Sequence, residues 1–240
     1  MDRGSTMITT RLADQRGHAE RGWLDSWHTF SFGDFHEPHW MGYGELRVIN
    51  EDTVVPGAGF PPHSHSDMEI ISYVLEGGLR HRDSTGGGSV IRHGEVQLMS
   101  AGRGISHSEM NDSQSEPVHF LQIWIVPSKR GVAPGYQQKP LDQAALRAGF
   151  SKVIAPEGEA APFRLYQDAR LFIAWPVAGQ SLRQPLAEGR RHYLHVAKGA
   201  IKAGRLELRA GDAMMLENES ILELTAENQS ELLLFELPAA

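Results

Sequence analysis

The chain has 240 residues, 40% of them hydrophobic, a formal charge of −7 and no cysteine. That length accommodates two small domains or one large one. The acidic balance argues against a nucleic-acid-binding face, which needs a basic stripe, and the missing cysteine excludes disulfides and thiolate-held zinc or iron–sulfur centres.

No stretch approaches the roughly 18 apolar residues of a membrane span, and the first seven residues lack the apolar centre of a signal peptide. A soluble, cytoplasmic protein is expected. Met7 is a second candidate start, which would make residues 1–6 non-native. In chain order, Met7–Leu12 alternates as a strand does. Trp23–Phe32 places Ser26, His28, Phe30 and Phe32 on one strand face. An aromatic-rich loop with His36, His39 and Trp40 follows, its histidines weighed as pocket residues and set aside as solvated. Glu45–Asn50 then reads as another strand.

From Glu69 to Pro127 the pattern is short apolar strands cut by glycine turns at Gly77-Gly78, Gly86–Gly88 and Gly94. That spacing indicates an all-β sandwich or barrel. Two ligand pairs sit among these strands. His63-Ser64-His65 follows Pro61-Pro62, expected to turn the chain, and His107-Ser108-Glu109 follows the run from Ser100 to Gly104. Side chains at i and i+2 leave one strand face, so two adjacent strands can converge all four groups on one point. Three imidazoles and a carboxylate suit Fe, Mn, Co, Ni, Cu or Zn. A lone HxH is more often a half-buried pair without a ligand; two pairs, each between turn glycines and apolar strands, shift the balance toward one metal ion inside a barrel.

Residues 131–160, with Pro134, Pro140 and Pro156, read as a linker carrying a short helix over Leu141–Ala148. Beyond it the first pattern returns. Val74–Leu79 is echoed in Val196–Ile201, Arg92–Met99 in Arg209–Leu216, and Leu121–Pro127 in Leu232–Pro238. Such self-similarity means two similar β-domains in tandem: a metal-binding barrel over 7–130 and a degenerate barrel over 161–240. In the second copy Pro185 and Ala187 stand for the first histidine pair, and Glu219–Glu223 for the second. His192 and His195, three apart, do not share a strand face, so metal is expected only in the N-terminal barrel.

Gly57-x5-His63-x-His65-x3-Glu69 resembles the first cupin motif, with Gly77 one residue late. Gly94-x5-Ser100-x-Gly102-x4-His107-x3-Asn111 resembles the second, with Ser100 in place of proline and two extra residues before the histidine. Together with the stretch Arg21–Phe32 and Ala101–Glu109, they make the whole of Met7–Pro238 similar to the pirin family, especially its bacterial members with quercetin 2,3-dioxygenase activity. The resemblance implies a bicupin: two jelly-roll-like barrels facing each other, with His63, His65, His107 and Glu109 as ligands of one divalent transition metal, Fe(II) first and Ni, Mn, Co, Cu or Zn next. Cupins in general would nominate Glu69 as fourth ligand. Pirins use the second-pair carboxylate, which leaves Glu69 beside the site.

The activity implied is 2,3-dioxygenation of a flavonol such as quercetin, with carbon monoxide released. The substrate 3-hydroxyl would bind at the metal, O2 would be the co-substrate and Glu109 the base. Phe30, Phe32, Trp40, Met99, Met110 and Phe120 are the candidate pocket residues, although aromatics and methionine more often fill a core. The alternative is a non-catalytic, iron-dependent redox sensor acting on transcription through a protein partner, without direct nucleic-acid or membrane contact. A monomer is expected.

Overall fold

The computed structural model describes residues 7–239, so the standing of residues 1–6 lies outside them. The protein is all-β with a single α-helix among the described residues. It forms two compact units. The first spans Gly17–Leu141 with Leu165–Gln167; of the described residues the second takes 7–16, Asp142–Arg164 and 168–239.

In the first unit a seven-stranded sheet runs in the order Gly135–Pro140, Glu95–Ser100, Glu69–Glu76, Val118–Ile125, Leu46–Val54, Leu24–His28, Gly17–Glu20. A four-stranded sheet runs Gly59–His65, Ile105–Asn111, Gly78–Asp83, Gly88–Arg92. The second unit repeats this plan. Its larger sheet runs Met7–Arg11, Ala213–Glu217, Arg191–Lys198, Glu231–Leu237, Arg170–Ala174, Ser151–Pro156, Phe163–Leu165. Its smaller one runs Ser181–Pro185, Ile221–Ala226, Ala200–Ala203, Leu206–Arg209.

The repeat reaches the backbone angles. Gly77 and Gly199 turn the two copies of one hairpin at φ of 79° and 81°, a left-handed conformation that glycine adopts without steric cost. A side chain at Gly77 would also come within 2.7 Å of the Pro117 carbonyl oxygen.

The expected boundaries differ from those observed at two places. Met7–Arg11 pairs residue for residue with Ala213–Glu217, so the chain starts on the sheet of the second unit and enters the first at Gly17. The stretch 131–160 is ordered in sheets rather than serving as a free connection. Gly135–Pro140 pairs with Glu95–Ser100, and Ser151–Pro156 pairs with Arg170–Ala174. The polar residues and Pro140 of Gly135–Pro140 are those tolerated on an edge strand, the position it holds in its sheet. The helix covers Gln143–Ala148, capped by Asp142, whose carboxylate accepts from the Ala144 and Ala145 N–H groups. Leu141 lies outside it, its N–H donating to the Gly94 carbonyl.

Candidate metal centre

The strands Gly59–His65 and Ile105–Asn111 are neighbours, and His63 stands directly opposite His107. Opposed residues share a face, and His65 leaves that face two residues further on. The three rings meet: His63–His65, His63–His107 and His65–His107 centroids are 4.8, 4.5 and 5.0 Å apart. One ring nitrogen from each lies within 4.8 Å of the others.

The pairing slips just before Glu109, which faces Phe60. Pro61 and Pro62 have no N–H to complete the ladder, so a bulge forms there. They belong to the strand Gly59–His65 instead of turning the chain, and the bulge sets the register beside Glu109. Gly59 makes the close approach possible, because a Cβ there would lie 2.3 Å from the Glu109 carbonyl oxygen and 2.5 Å from Met110 Cα.

Hydrogen bonds prepare the nitrogens for a ligand. His63 Nδ1 lies 2.8 Å from the Pro61 carbonyl. A carbonyl only accepts, so Nδ1 carries a hydrogen and Nε2 is the ring nitrogen left to face an ion. Burial, then the fields of His63, His65 and His81, push His107 down to about 3. Burial and His63 push His65 down to about 4. Both rings are therefore neutral at ordinary pH, the state a metal ligand needs. His107 Nε2 is buried with no hydrogen-bond partner among the described residues. Orphaned nitrogen, neutral rings and an adjacent carboxylate together fit a divalent transition ion.

Glu109 forms a second cluster with His107 and His81, of the same spread. Gln122 Nε2 donates to its carboxylate at 2.7 Å and Ser72 Oγ at 3.2 Å. Burial raises the Glu109 carboxyl above its ordinary range, against the Gln122 bond and the nearby His81 and His63 rings. His81 and Asp83 were not expected from sequence. His81 is completely buried, with its Nε2 3.0 Å from Asp83 and its Nδ1 3.4 Å from His107 Nδ1. Burial raises Asp83 as well, but hydrogen bonds from Thr85, His81 and Gly87 outweigh it and hold that carboxyl low.

A cavity of about 410 Å³ opens between the two sheets of this unit and reaches His63, His65 and Glu109. Trp23, Phe32, Phe60 and Trp124 supply apolar wall; Ser26, His28, Asn50 and Asp52 supply polar groups. Of the six expected pocket residues only Phe32 lines it. Phe30, Met99 and Phe120 are buried in the interior, because the run from Leu24 leaves strand geometry after His28 and the other two pack into apolar clusters. Trp40 and Met110 are half-buried away from the cavity. His36 and His39 are exposed. Glu69 is buried and accepts from Ser100 Oγ at 2.9 Å and from the Tyr166 backbone. Burial, partly offset by those bonds, moves its carboxyl up to about 7.

A further feature is a polar row across the larger sheet. Gln97, Ser72, Gln122, Asn50 and His28 pair in succession, one per strand, and all five are buried. Its signal in sequence is a lone polar residue inside an apolar run at Gln97, Ser72 and Gln122, as at Ser72 within Ile70–Leu75; Asn50 and His28 stand among other polar residues and carry no such signal. At its end Ser26 Oγ hydrogen-bonds both Asp52 and, at 2.9 Å, His28 Nε2.

The comparisons with known proteins agree with this geometry. The Pirin family profile matches residues 9–125. The chain is 42% identical to a quercetin 2,3-dioxygenase of Escherichia coli K12, over 97% of this chain and 99% of that one. The chain belongs to the pirin family. The profile of the quercetinase C-terminal cupin domain matches residues 152–237. A pirin-like protein of Caulobacter vibrioides is 38% identical over 95% of this chain and 98% of its own. Among solved structures, the bacterial pirin YhhW of E. coli in complex with nickel(II) superposes with a TM-score of 0.91 at 40% identity, covering 98% of this chain and 100% of that one. No helix of the described residues is long and apolar enough to cross a membrane.

Proposed function

We propose that this pirin is a metal-dependent dioxygenase that opens a flavonol such as quercetin with release of carbon monoxide. His63, His65, His107 and Glu109 would hold the ion. The observation that carries the reading is the convergence of the His63, His65 and His107 rings, with the hydrogen-bonded Glu109 carboxylate clustered with His107, beside a cavity with aromatic walls. The chain's identity with a relative named quercetin 2,3-dioxygenase supports it, and the nickel-bound relative supports a divalent ion.

When bound, the ion supplies Lewis acidity that lowers the pKa of a phenolic hydroxyl and activates the flavonol toward O2. The chain supplies the rest. Trp23, Phe32, Phe60 and Trp124 flank a planar aromatic substrate and exclude water. Glu109 takes the proton of the 3-hydroxyl at a carboxylate oxygen. Gln122 and Ser72 hold that carboxylate in one orientation, so it need not reorganise during the transfer. Ser26, His28 and Asn50 offer partners to the other hydroxyls of a polyphenol.

The test is anaerobic reconstitution with Fe(II), Mn(II), Co(II), Ni(II), Cu(II) or Zn(II), followed by aerobic quercetin turnover with carbon monoxide detection. The expected result is metal-dependent loss of the flavonol absorption with stoichiometric carbon monoxide, reduced at least ~100-fold in Glu109→Gln. Stoichiometric metal binding with no turnover for any ion would overturn the dioxygenase reading.

A further inference from the structure

The tautomer of His107 decides whether its Nε2 can serve a metal, and the structure contains a device that sets it. Asp83 Oδ1 takes three donors: the Thr85 N–H at 2.8 Å, the Thr85 hydroxyl at 2.5 Å and the Gly87 N–H at 3.2 Å. Its other oxygen faces His81 Nε2 at 3.0 Å. Gly87 has no Cβ to obstruct this, and one placed there would sit 2.6 Å from Asp83 Oδ2. A carboxylate held in this way accepts a proton on its free side, so His81 presents Nε2–H to Asp83. In the neutral His81 ring Nδ1 is then a lone pair, and it faces His107 Nδ1 at 3.4 Å. Two facing lone pairs would repel, so His107 carries its hydrogen on Nδ1. What remains is His107 Nε2 as a lone pair, and that buried atom has no hydrogen-bond partner among the described residues.

We propose that Asp83 and His81 are positioning residues that fix His107 in the tautomer with Nε2 free, through the directed chain Asp83 to His81 to His107. His81 is a relay in this arrangement and not a ligand. The inference rests on the metal reading above for its purpose, while the hydrogen positions themselves are independent of it. Because Oδ1 is committed to three donors, Asp83→Asn would keep its oxygen there and turn its NH2 toward His81. That substitution keeps the shape and reverses the polarity: His81 would accept on Nε2, carry its hydrogen on Nδ1, and press His107 toward the wrong tautomer.

The first measurement is a long-range proton–nitrogen NMR spectrum of the imidazoles in metal-free protein near pH 7.5. His107 should appear as the Nδ1–H form and His81 as the Nε2–H form; either ring in the opposite form overturns the relay. The second is the Ni(II) affinity of wild type, Asp83→Asn and Asp83→Ala by competition with a chelator. Asp83→Asn should bind about 10- to 100-fold more weakly than wild type, and more weakly than Asp83→Ala, although alanine loses every bond to the turn. Equal affinity for wild type and Asp83→Asn, or the greater loss in Asp83→Ala, overturns the relay. In Co(II) protein, the number of hyperfine-shifted imidazole N–H signals should be the same in wild type and His81→Gln; a drop would make His81 a ligand and overturn its assigned role. Failure of the wild type to bind any of these ions would overturn the metal reading instead, and the NMR result would still decide the tautomers.

Discussion

Asp52 lies at the end of the polar row, and Asp52→Asn should stabilise the metal-free protein increasingly as pH rises. Burial lifts the carboxyl from 3.8 to about 7, opposed by the Ser26 hydrogen bond and reinforced by repulsion from Glu109 and Glu51. The folded pKa lies above the unfolded one, so between those values the folded state binds more protons than the unfolded state. Stability therefore falls as pH climbs through this window and levels off above it. At about 1.4 kcal/mol per pH unit the full rise costs the folded state ~4 kcal/mol. About a third of that is already lost at pH 5, so the advantage of the variant should grow by ~3 kcal/mol between pH 5 and pH 8. Asparagine keeps an oxygen for Ser26 Oγ and removes only the charge. Urea unfolding in the presence of EDTA, followed by tryptophan fluorescence, measures the gap. A gap independent of pH, or one that narrows as pH rises, would refute the argument by showing that Asp52 is ionised in the fold at pH 5.

His63→Ala and His107→Ala should each abolish stoichiometric metal binding while leaving the far-ultraviolet circular dichroism unchanged, and full metal content in either variant would remove that residue from the ligand set. Gly59→Ala forces a methyl against the Glu109 backbone. It should cost ~1–3 kcal/mol of stability and lower turnover more than Gly22→Ala, where a Cβ meets nothing within 4 Å.

The i,i+2 spacing was sufficient to bring three histidines together because strand alternation is a local property, and the burial of Ile105, His107, Glu109 and Asn111 follows it. The repeat was legible for a similar reason: hairpin glycines such as Gly77 and Gly199 hold their places while loops shorten. The pocket was less legible. Phe30, Met99 and Phe120 have the chemistry of a cavity wall, but only packing decides whether an aromatic side chain faces a void or a neighbour. His81 and Asp83 were invisible because their role depends on a third strand lying beside Ile105–Asn111. The destination of Met7–Arg11 was invisible as well, since an alternating edge strand can pair with any sheet that offers a free edge.

The second unit shows what the polar row does by lacking it. Leu79 pairs with Asn111 and its counterpart Ile201 with Ala226. Counting back from these places His107 and Glu109 at Leu222 and Leu224, rather than within the glutamates at 219 and 223. Across the larger sheet, strand pairing turns Gln97, Ser72, Gln122 and Asn50 into Met214, Leu194, Leu234 and Phe172. Leu234 stands one residue beyond the Leu233 that the sequence echo set against Gln122, and these four pack with Leu222 and Leu224 in one apolar cluster. One scaffold thus supports a polar interior or a dry one. Gln122→Leu alone should cost ~1–3 kcal/mol in the metal-free protein, because Glu109 loses its shortest donor. Glu109→Leu alone strands the Gln122 amide. The double variant removes both ends of the bond and imports the pairing of the second unit, so its cost should fall short of the summed single costs by at least ~1 kcal/mol. Chemical denaturation of the four proteins in EDTA closes the cycle. Strict additivity would mean that Gln122 does not satisfy Glu109, and that the row is packing rather than support for the carboxylate.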